Sequence, residues 1–398
     1  MRMRRLAVPL LALALLLQGA AARAHDPSAY GGLFRSRDLG GTWLGADVGL
    51  FLNAVLTVAV DPRDPNHLLM GTDSGIYSSR NGGRSWTPEA QDLIVGAVFA
   101  IAFAPDGSSV LAAAPGGVFR LNERRWTRVR APDDATPARA IAFAGPDRIY
   151  LLGRERLFAS ADGGLSLRRL GERLPDGARI TSLAVATTPR RVLLAVVDGA
   201  LMASEDGGKD WQPRPLRAPD GAENAPVNTA LLDPAVPGRL WAAMRDRILV
   251  SDDLGRDWRV LAGKLPEADT NVRGIAADAA ATTLVVTTHR GMYRSGNGGR
   301  SWGFMESRLP VHIESGPLAR DPSDARTLYA VYSLMPYPEV WRAAVQGSNL
   351  LSRLDFVSIA GGVAFVLLIF IGGGLLAWWL ARLRSPPPRR PVPYRPAP

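Results

Sequence analysis

The side chains best placed to do chemistry in this 398-residue chain recur on one eight-residue template. It runs Ser36–Trp43, Ser79–Trp86, Ser160–Leu167, Ser204–Trp211, Ser251–Trp258 and Ser295–Trp302. Each copy sets a carboxylate or carboxamide two residues after the serine: Asp38, Asn81, Asp162, Asp206, Asp253 and Asn297. Each has a glycine two residues further on, and all but one copy ends in tryptophan: Trp43, Trp86, Trp211, Trp258 and Trp302. A short polar side chain among glycines can accept backbone amides and close a hairpin, with the indole filling the gap between neighbouring strands. The competing chemistry is calcium binding, because Asp252-Asp253-Leu254-Gly255 has the look of an acidic loop. It lacks the alternating carboxylates and the terminal bidentate Glu that such loops need. Histidine offers little more, with only His25, His67, His289 and His312 present. An N-terminal His25 could chelate copper through its amine and imidazole, yet no second ligand can be placed beside it. With no cysteine, disulfides, thiolate metal sites, Fe–S clusters and cysteine nucleophiles are excluded. Phosphate loops, dinucleotide fingerprints and nucleophile elbows are also missing from the sequence. The expected set of catalytic, metal and cofactor residues is therefore empty, and the template residues are expected to be architectural.

The elements that carry the template are legible from its period. Successive copies start 43, 81, 44, 47 and 44 residues apart, and the 81 spans two periods with one worn copy, Gly117–Asn122 followed by Trp126. Within each period two short apolar strands precede a third that enters the template, and a fourth leaves through the tryptophan. Four strands in about 44 residues make one blade of a β-propeller. The predicted fold class is all-β, seven-bladed, with first strands near residues 55, 99, 140, 181, 229, 273 and 316. The closing blade is expected to draw on both ends of the repeat region. Its third strand is either Leu33–Arg35 or Val340–Ala343.

These motifs resemble the Asp-box, or bacterial neuraminidase, repeat. The resemblance implies a propeller over most of residues 31 to 345, with the boxes at blade peripheries and away from the central binding face. Sialidases of this kind combine three arginines, a Tyr–Glu nucleophile pair, an Asp acid/base and a Phe-Arg-Ile-Pro motif. Here only Phe34-Arg35-Ser36-Arg37 and Phe119-Arg120-Leu121-Asn122 come near that motif, and Glu314 or Glu339 would have to meet Tyr332 or Tyr337 to make the pair. Shared folds do not transmit function. The better functional resemblance is to photosystem II stability and assembly factor-like proteins, which implies binding of a membrane subunit without catalysis. Sortilin-type receptors share the box but add cysteine-rich modules, absent here. The expectation is a non-catalytic scaffold or assembly factor, the alternative a sialidase-like hydrolase or glycan-binding module.

The ends of the chain set its expected address. Residues 1 to 24 read as a signal peptide, with a basic start, an apolar run Leu6–Leu17 and Ala22-Arg23-Ala24 before the expected cut. Residues 25 to 345 form the propeller and 346 to 355 a linker. Phe356 to Ala381 carry no charge over 26 residues, enough to cross a bilayer as a helix. Residues 382 to 398 form a Pro- and Arg-rich tail, which the positive-inside rule places in the cytoplasm. The sequence thus predicts a single-pass bacterial inner-membrane protein with its propeller in the periplasm, beside the lipid bilayer and a membrane or envelope protein partner. The net charge of +10 sits in the two ends, leaving 38 basic and 37 acidic side chains between them. A neutral body has no general drive toward phosphate backbones, so nucleic acid is not an expected partner unless the fold gathers a local patch.

Overall fold

The computed structural model describes residues 31 to 346, apart from 51, 172–173, 175–176, 217–225, 268–269 and 312, together with residues 371, 372, 378 and 379. Two compact units divide the chain at Gly347 and Ser348. The signal segment, His25, His312 and all of the tail lie outside the described residues. So does the apolar span Phe356 to Ala381 except for Ile371, Gly372, Trp378 and Trp379, which are helical and exposed. Among the described residues no helix is long and apolar enough to cross a membrane.

The first unit builds seven four-stranded antiparallel sheets. Their first strands are Val55–Val60, Ala100–Phe103, Ala140–Phe143, Ile180–Ala186, Val227–Leu232, Val272–Ala277 and Glu314–Arg320, each within two residues of its expected position. Each first strand contacts the next, and Glu314–Arg320 contacts Val55–Val60, so the cycle is closed. We number the blades 1 to 7 in the order of these strands. Second strands such as Val192–Val197 are buried along their whole length. Burial on both faces is why they read as unbroken apolar runs instead of alternating ones. Seven hydrophobic clusters follow, one between each pair of adjacent blades. Arginines add hydrogen bonds across the same seams. Arg35 Nη1 donates to Gly82 O at 2.6 Å, Arg239 Nη1 to Ala279 O at 2.9 Å and Arg320 Nη2 to Ala277 O at 2.6 Å.

Blade 7 resolves the choice left by the sequence. Its order is Glu314–Arg320, Leu328–Ser333, Gly32–Ser36 and Leu44–Gly45, so the third strand is Leu33–Arg35 with its flanking residues. Leu33 pairs with Val331 and Phe34 with Ala330. The candidate strand Val340–Ala343 is instead part of a helix, α1, Tyr337–Val345. Pro336 and Pro338 explain the correction: proline fixes φ in the helical range and lacks the N–H a strand would donate, while the first turn of a helix has no use for that N–H. In blade 2, where the template is worn, Gly117–Asn122 turns straight into Arg125–Arg128 through Glu123 and Arg124, with Glu123 at φ 56°.

Candidate functional site

The six templates adopt one geometry. In Ser204–Trp211 the serine hydroxyl accepts the Gly208 amide at 2.7 Å and donates to Asp206 Oδ1 at 2.8 Å. Asp206 Oδ1 then accepts the amides of Lys209 and Asp210 at 2.9 and 3.0 Å. Asn81 does the same with Oδ1 and uses its Nδ2 to donate to Ser85 Oγ at 2.8 Å. Asn297 repeats this with Ser301. Asp38, Asp162 and Asp253 also accept the amide four residues on, at 2.8, 3.0 and 3.0 Å. Two tryptophans bond across seams, Trp86 Nε1 to Ala46 O and Trp302 Nε1 to Gly263 O, while Trp211 and Trp258 donate within their own turns, to Gly208 O and Gly255 O. Trp43 is buried, and among the described residues its Nε1 has no hydrogen-bond partner. The acidic pair that suggested calcium is engaged elsewhere, since Asp252 takes Arg239 Nε at 2.6 Å while Asp253 caps its own turn.

These bonds hold the template carboxylates below their usual range. For Asp206 the Asp210 amide and then the Ser204 hydroxyl bring the value to about 2, and for Asp162 the hydroxyls of Ser160 and Ser166 push it lower still. A carboxylate depressed on folding contributes stability above its unfolded value, near 4, and loses it as the pH falls through the folded one. The loss therefore falls between about pH 4 and pH 2. The double substitution Asp162→Asn, Asp206→Asn keeps the acceptor geometry already seen at Asn81 and Asn297. It is expected to leave the fold intact at pH 7 and to flatten the decline of the thermal midpoint from pH 4 to pH 2. A decline as steep as the parent's would show that these carboxylates do not carry the acid sensitivity.

A second constellation lies where the first strands begin. On the face of the ring at those strand starts, α1 buries Val340, Trp341 and Ala344 against Ala54, Leu56, Ala97 and Phe99. The Phe99 ring meets Tyr337 and Trp341 edge-on, each at 5.0 Å between centroids. Arg139 stacks 3.8 Å over the Trp341 ring, and Arg273 lies 4.9 Å from that of Tyr337. Arg273 also pairs with Glu314 at 2.8 Å, and Glu314 Oε2 accepts the Tyr337 backbone N–H at 2.7 Å. Burial raises the Tyr337 hydroxyl to about 12 against the pull of Arg273 and Arg139. Of the four Tyr and Glu candidates, the structure brings together Glu314 and Tyr337. It joins them through the tyrosine's main chain, and the phenol is held protonated. Tyr332 is buried between blades 6 and 7 with its ring against Phe34, and Glu339 is exposed.

The histidines stay apart. His67 is buried, its Nδ1 2.8 Å from Asp61 Oδ2 and its ring edge-on to Phe103. His289 accepts the Asn271 amide at Nδ1, and burial followed by Arg290 and Arg273 lowers its pKa. Among the described residues no group of three His, Asp or Glu side chains could hold a metal ion. Arg139, Arg273 and Phe99 carried no signal as isolated residues. Each stands at or beside the start of a first strand, so aligning the repeats on that register would have found them.

The ring, its hairpin motifs and the helix across one face define the class: a seven-bladed β-propeller. No protein-family model matches the chain, and no curated protein matches it. Among solved structures it is similar to YCF48 bound to D1 peptide, at 17% identity and a TM-score of 0.53 over 71% of this chain and 93% of that one. YCF48 from Cyanidioschyzon merolae gives 15% and 0.54 over 73% and 98%. The GH74 xyloglucanase from Xanthomonas campestris gives 19% and 0.53 over 71% of this chain but 53% of its own length. At these identities the likeness establishes the fold alone.

Proposed function

We propose that the protein is a non-catalytic scaffold or assembly factor, an Asp-box propeller that binds a membrane or envelope protein. The observation that carries this reading is α1. The strand-start face around the ring axis, a usual place for a propeller's ligand cleft, is covered by the chain's own helix, with Tyr337, Trp341, Arg139, Arg273 and Glu314 already engaged with one another. The solved structure of YCF48 bound to D1 peptide supports protein binding by a ring of this kind. In the same reading residues 1 to 24 direct export, Phe356 to Ala381 anchor the chain in the inner membrane, and the Arg-rich tail stays in the cytoplasm.

The glycan alternative draws on the GH74 likeness and on a pocket of about 620 Å³ lined by Glu267, His289, Arg290, Tyr293 and Phe304. Its one carboxylate, Glu267, is paired with Arg290 at 2.7 Å, whereas most glycoside hydrolases use two. Crosslinking of the full-length protein in its native membranes, with purification under denaturing conditions, tests the choice. A recurrent protein partner is expected, together with no turnover on a broad glycan panel. Recovery of lipid alone, or turnover of any glycan, would overturn the scaffold reading.

A further inference from the structure

The worn template of blade 2 changes the outer rim of the ring. Because two residues replace the usual turn, the fourth strand starts at once and runs for four residues, Arg125–Arg128. The fourth strands of the other blades have two or three. Its pairing fixes which backbone groups look outward. Arg125 faces Asn122 and Arg128 faces Phe119 across the hairpin, and the Val129 N–H donates inward to Val118 O. Arg130 turns the other way, donating to Leu165 O at 3.2 Å and accepting the Leu167 amide at 2.8 Å, in a parallel bridge to the blade 3 template. Backbone groups alternate along an antiparallel strand, so those of Trp126 and Arg128 also face away from the sheet. They form an open edge that continues the bridge already made at Arg130.

The charge on this edge is one-sided. Arg120, Arg124, Arg125, Arg128 and Arg130 stand within eleven residues with a single acid, Glu123. Among the described residues none of the five arginines is in an ion pair, although the ring as a whole is nearly neutral. A groove of about 640 Å³ runs between this edge and the blade 3 template, lined by Arg128, Arg130, Leu165, Ser166 and one carboxylate, Asp162, whose oxygens accept bonds from its own turn, with Leu165 62% exposed. Like charges keep two copies of such an edge from pairing with each other. The same charges favour an extended chain that carries acids.

We infer that the outer edge of blade 2 is a docking strand for an acidic, extended segment of a partner protein, which adds to the sheet along Trp126–Arg128. Main-chain hydrogen bonds supply the attachment, and carboxylates three residues apart, which an extended strand turns to opposite faces, meet Arg125 on one face and Arg128 on the other. The inference rests on the protein-binding reading above, and it names the partner's chemistry and its place.

The test uses the full-length protein in detergent and a fluorescein-labelled ten-residue peptide of repeating Glu-Glu-Val, which presents carboxylates on both faces of a strand. The matching Lys-Lys-Val peptide and heparin serve as comparators. Saturable binding of the acidic peptide is expected, none of the basic one, with new exchange protection at the Trp126 and Arg128 amides. Arg125→Glu with Arg128→Glu should weaken it about tenfold or more, as two surface pairs become repulsive. Arg128→Gln removes charge alone, whereas Arg128→Pro also removes an outward N–H that the blade's own ladder does not use. Strand addition requires that the proline variant bind several-fold more weakly than the glutamine one, at an unchanged thermal midpoint. Equal losses in the two, full displacement of the peptide by heparin, or no protection at the two amides would overturn the inference. Crosslinks from native membranes that reach a protein partner only through other blades would also overturn it, while leaving the scaffold reading standing.

Discussion

Replacing Leu33 and Phe34 together with alanine is expected to lower the thermal midpoint by about 10 °C, with each single change giving about half of that. The two side chains leave the same strand on opposite faces. Leu33, fully buried, belongs to the cluster between blades 7 and 1, and Phe34, 3% exposed, to the cluster between blades 6 and 7. Truncating a buried leucine costs about 2–5 kcal/mol and a buried phenylalanine about 3–5 kcal/mol. Their sum is comparable to the whole stability of an ordinary domain, roughly 5–15 kcal/mol. A ring concentrates that loss, because Gly32–Ser36 and Leu44–Gly45 are the strands by which the first part of the repeat region closes on the last. Hydrogen exchange should rise first over residues 32 to 45 and over their partner Leu328–Ser333, before the other blades respond. Leu44→Ala, at a side chain 53% exposed, is the control and should move the midpoint by less than about 1 °C. A double variant that melts within about 2 °C of the parent would mean that the ring does not depend on this closure.

Much of this architecture is written in the period. The serine and the Asp or Asn of each template have to stand two residues apart to cap one turn, so their spacing survives where the strands around them vary. The starts of all seven first strands followed from it to within two residues. Closure was not decided by the same signal, since Leu33–Arg35 and Val340–Ala343 are both short and apolar but for a single arginine. Pro336 and Pro338 held the answer, as they suit the first turn of a helix and not a strand that must donate its amides. The cluster under α1 was illegible for a different reason. Phe99, Arg139, Arg273 and Glu314 come from four blades and lie 40 to 215 residues apart in pairs that share no motif. Only the ring brings them together. The worn template of blade 2 was visible as a gap in the pattern, but its consequence, a longer outer edge rich in arginine, depends on strand register. The charge balance of the whole body hid it, because the surplus of arginine there is offset in other blades.

Trp341→Ala should act on α1 and spare the ring. The indole is 8% exposed, edge-on to Phe99 and covered on one face by the Arg139 guanidinium. Removing it costs about 3–5 kcal/mol in burial, with about 0.5–2 kcal/mol more for the lost cation–π contact. A nine-residue helix has almost no stability of its own, so α1 is held by this packing and by the Glu314 contact to the Tyr337 amide. None of the seven interblade clusters contains Trp341. The same size of loss that opens the ring at Leu33 and Phe34 should therefore release a local element here. Amides of residues 339 to 346 are expected to exchange at least a hundredfold faster, while the global midpoint falls by no more than a few degrees. Unchanged exchange in that helix would show that Trp341 does not hold it. The released state also separates the two functional readings at a single residue. If α1 only covers structure, Trp341→Ala stays inactive on glycans and still yields its protein crosslinks. If α1 shields a catalytic cleft, the variant turns over a glycan that the parent leaves intact, and Glu314 with Tyr337 becomes the pair to substitute next.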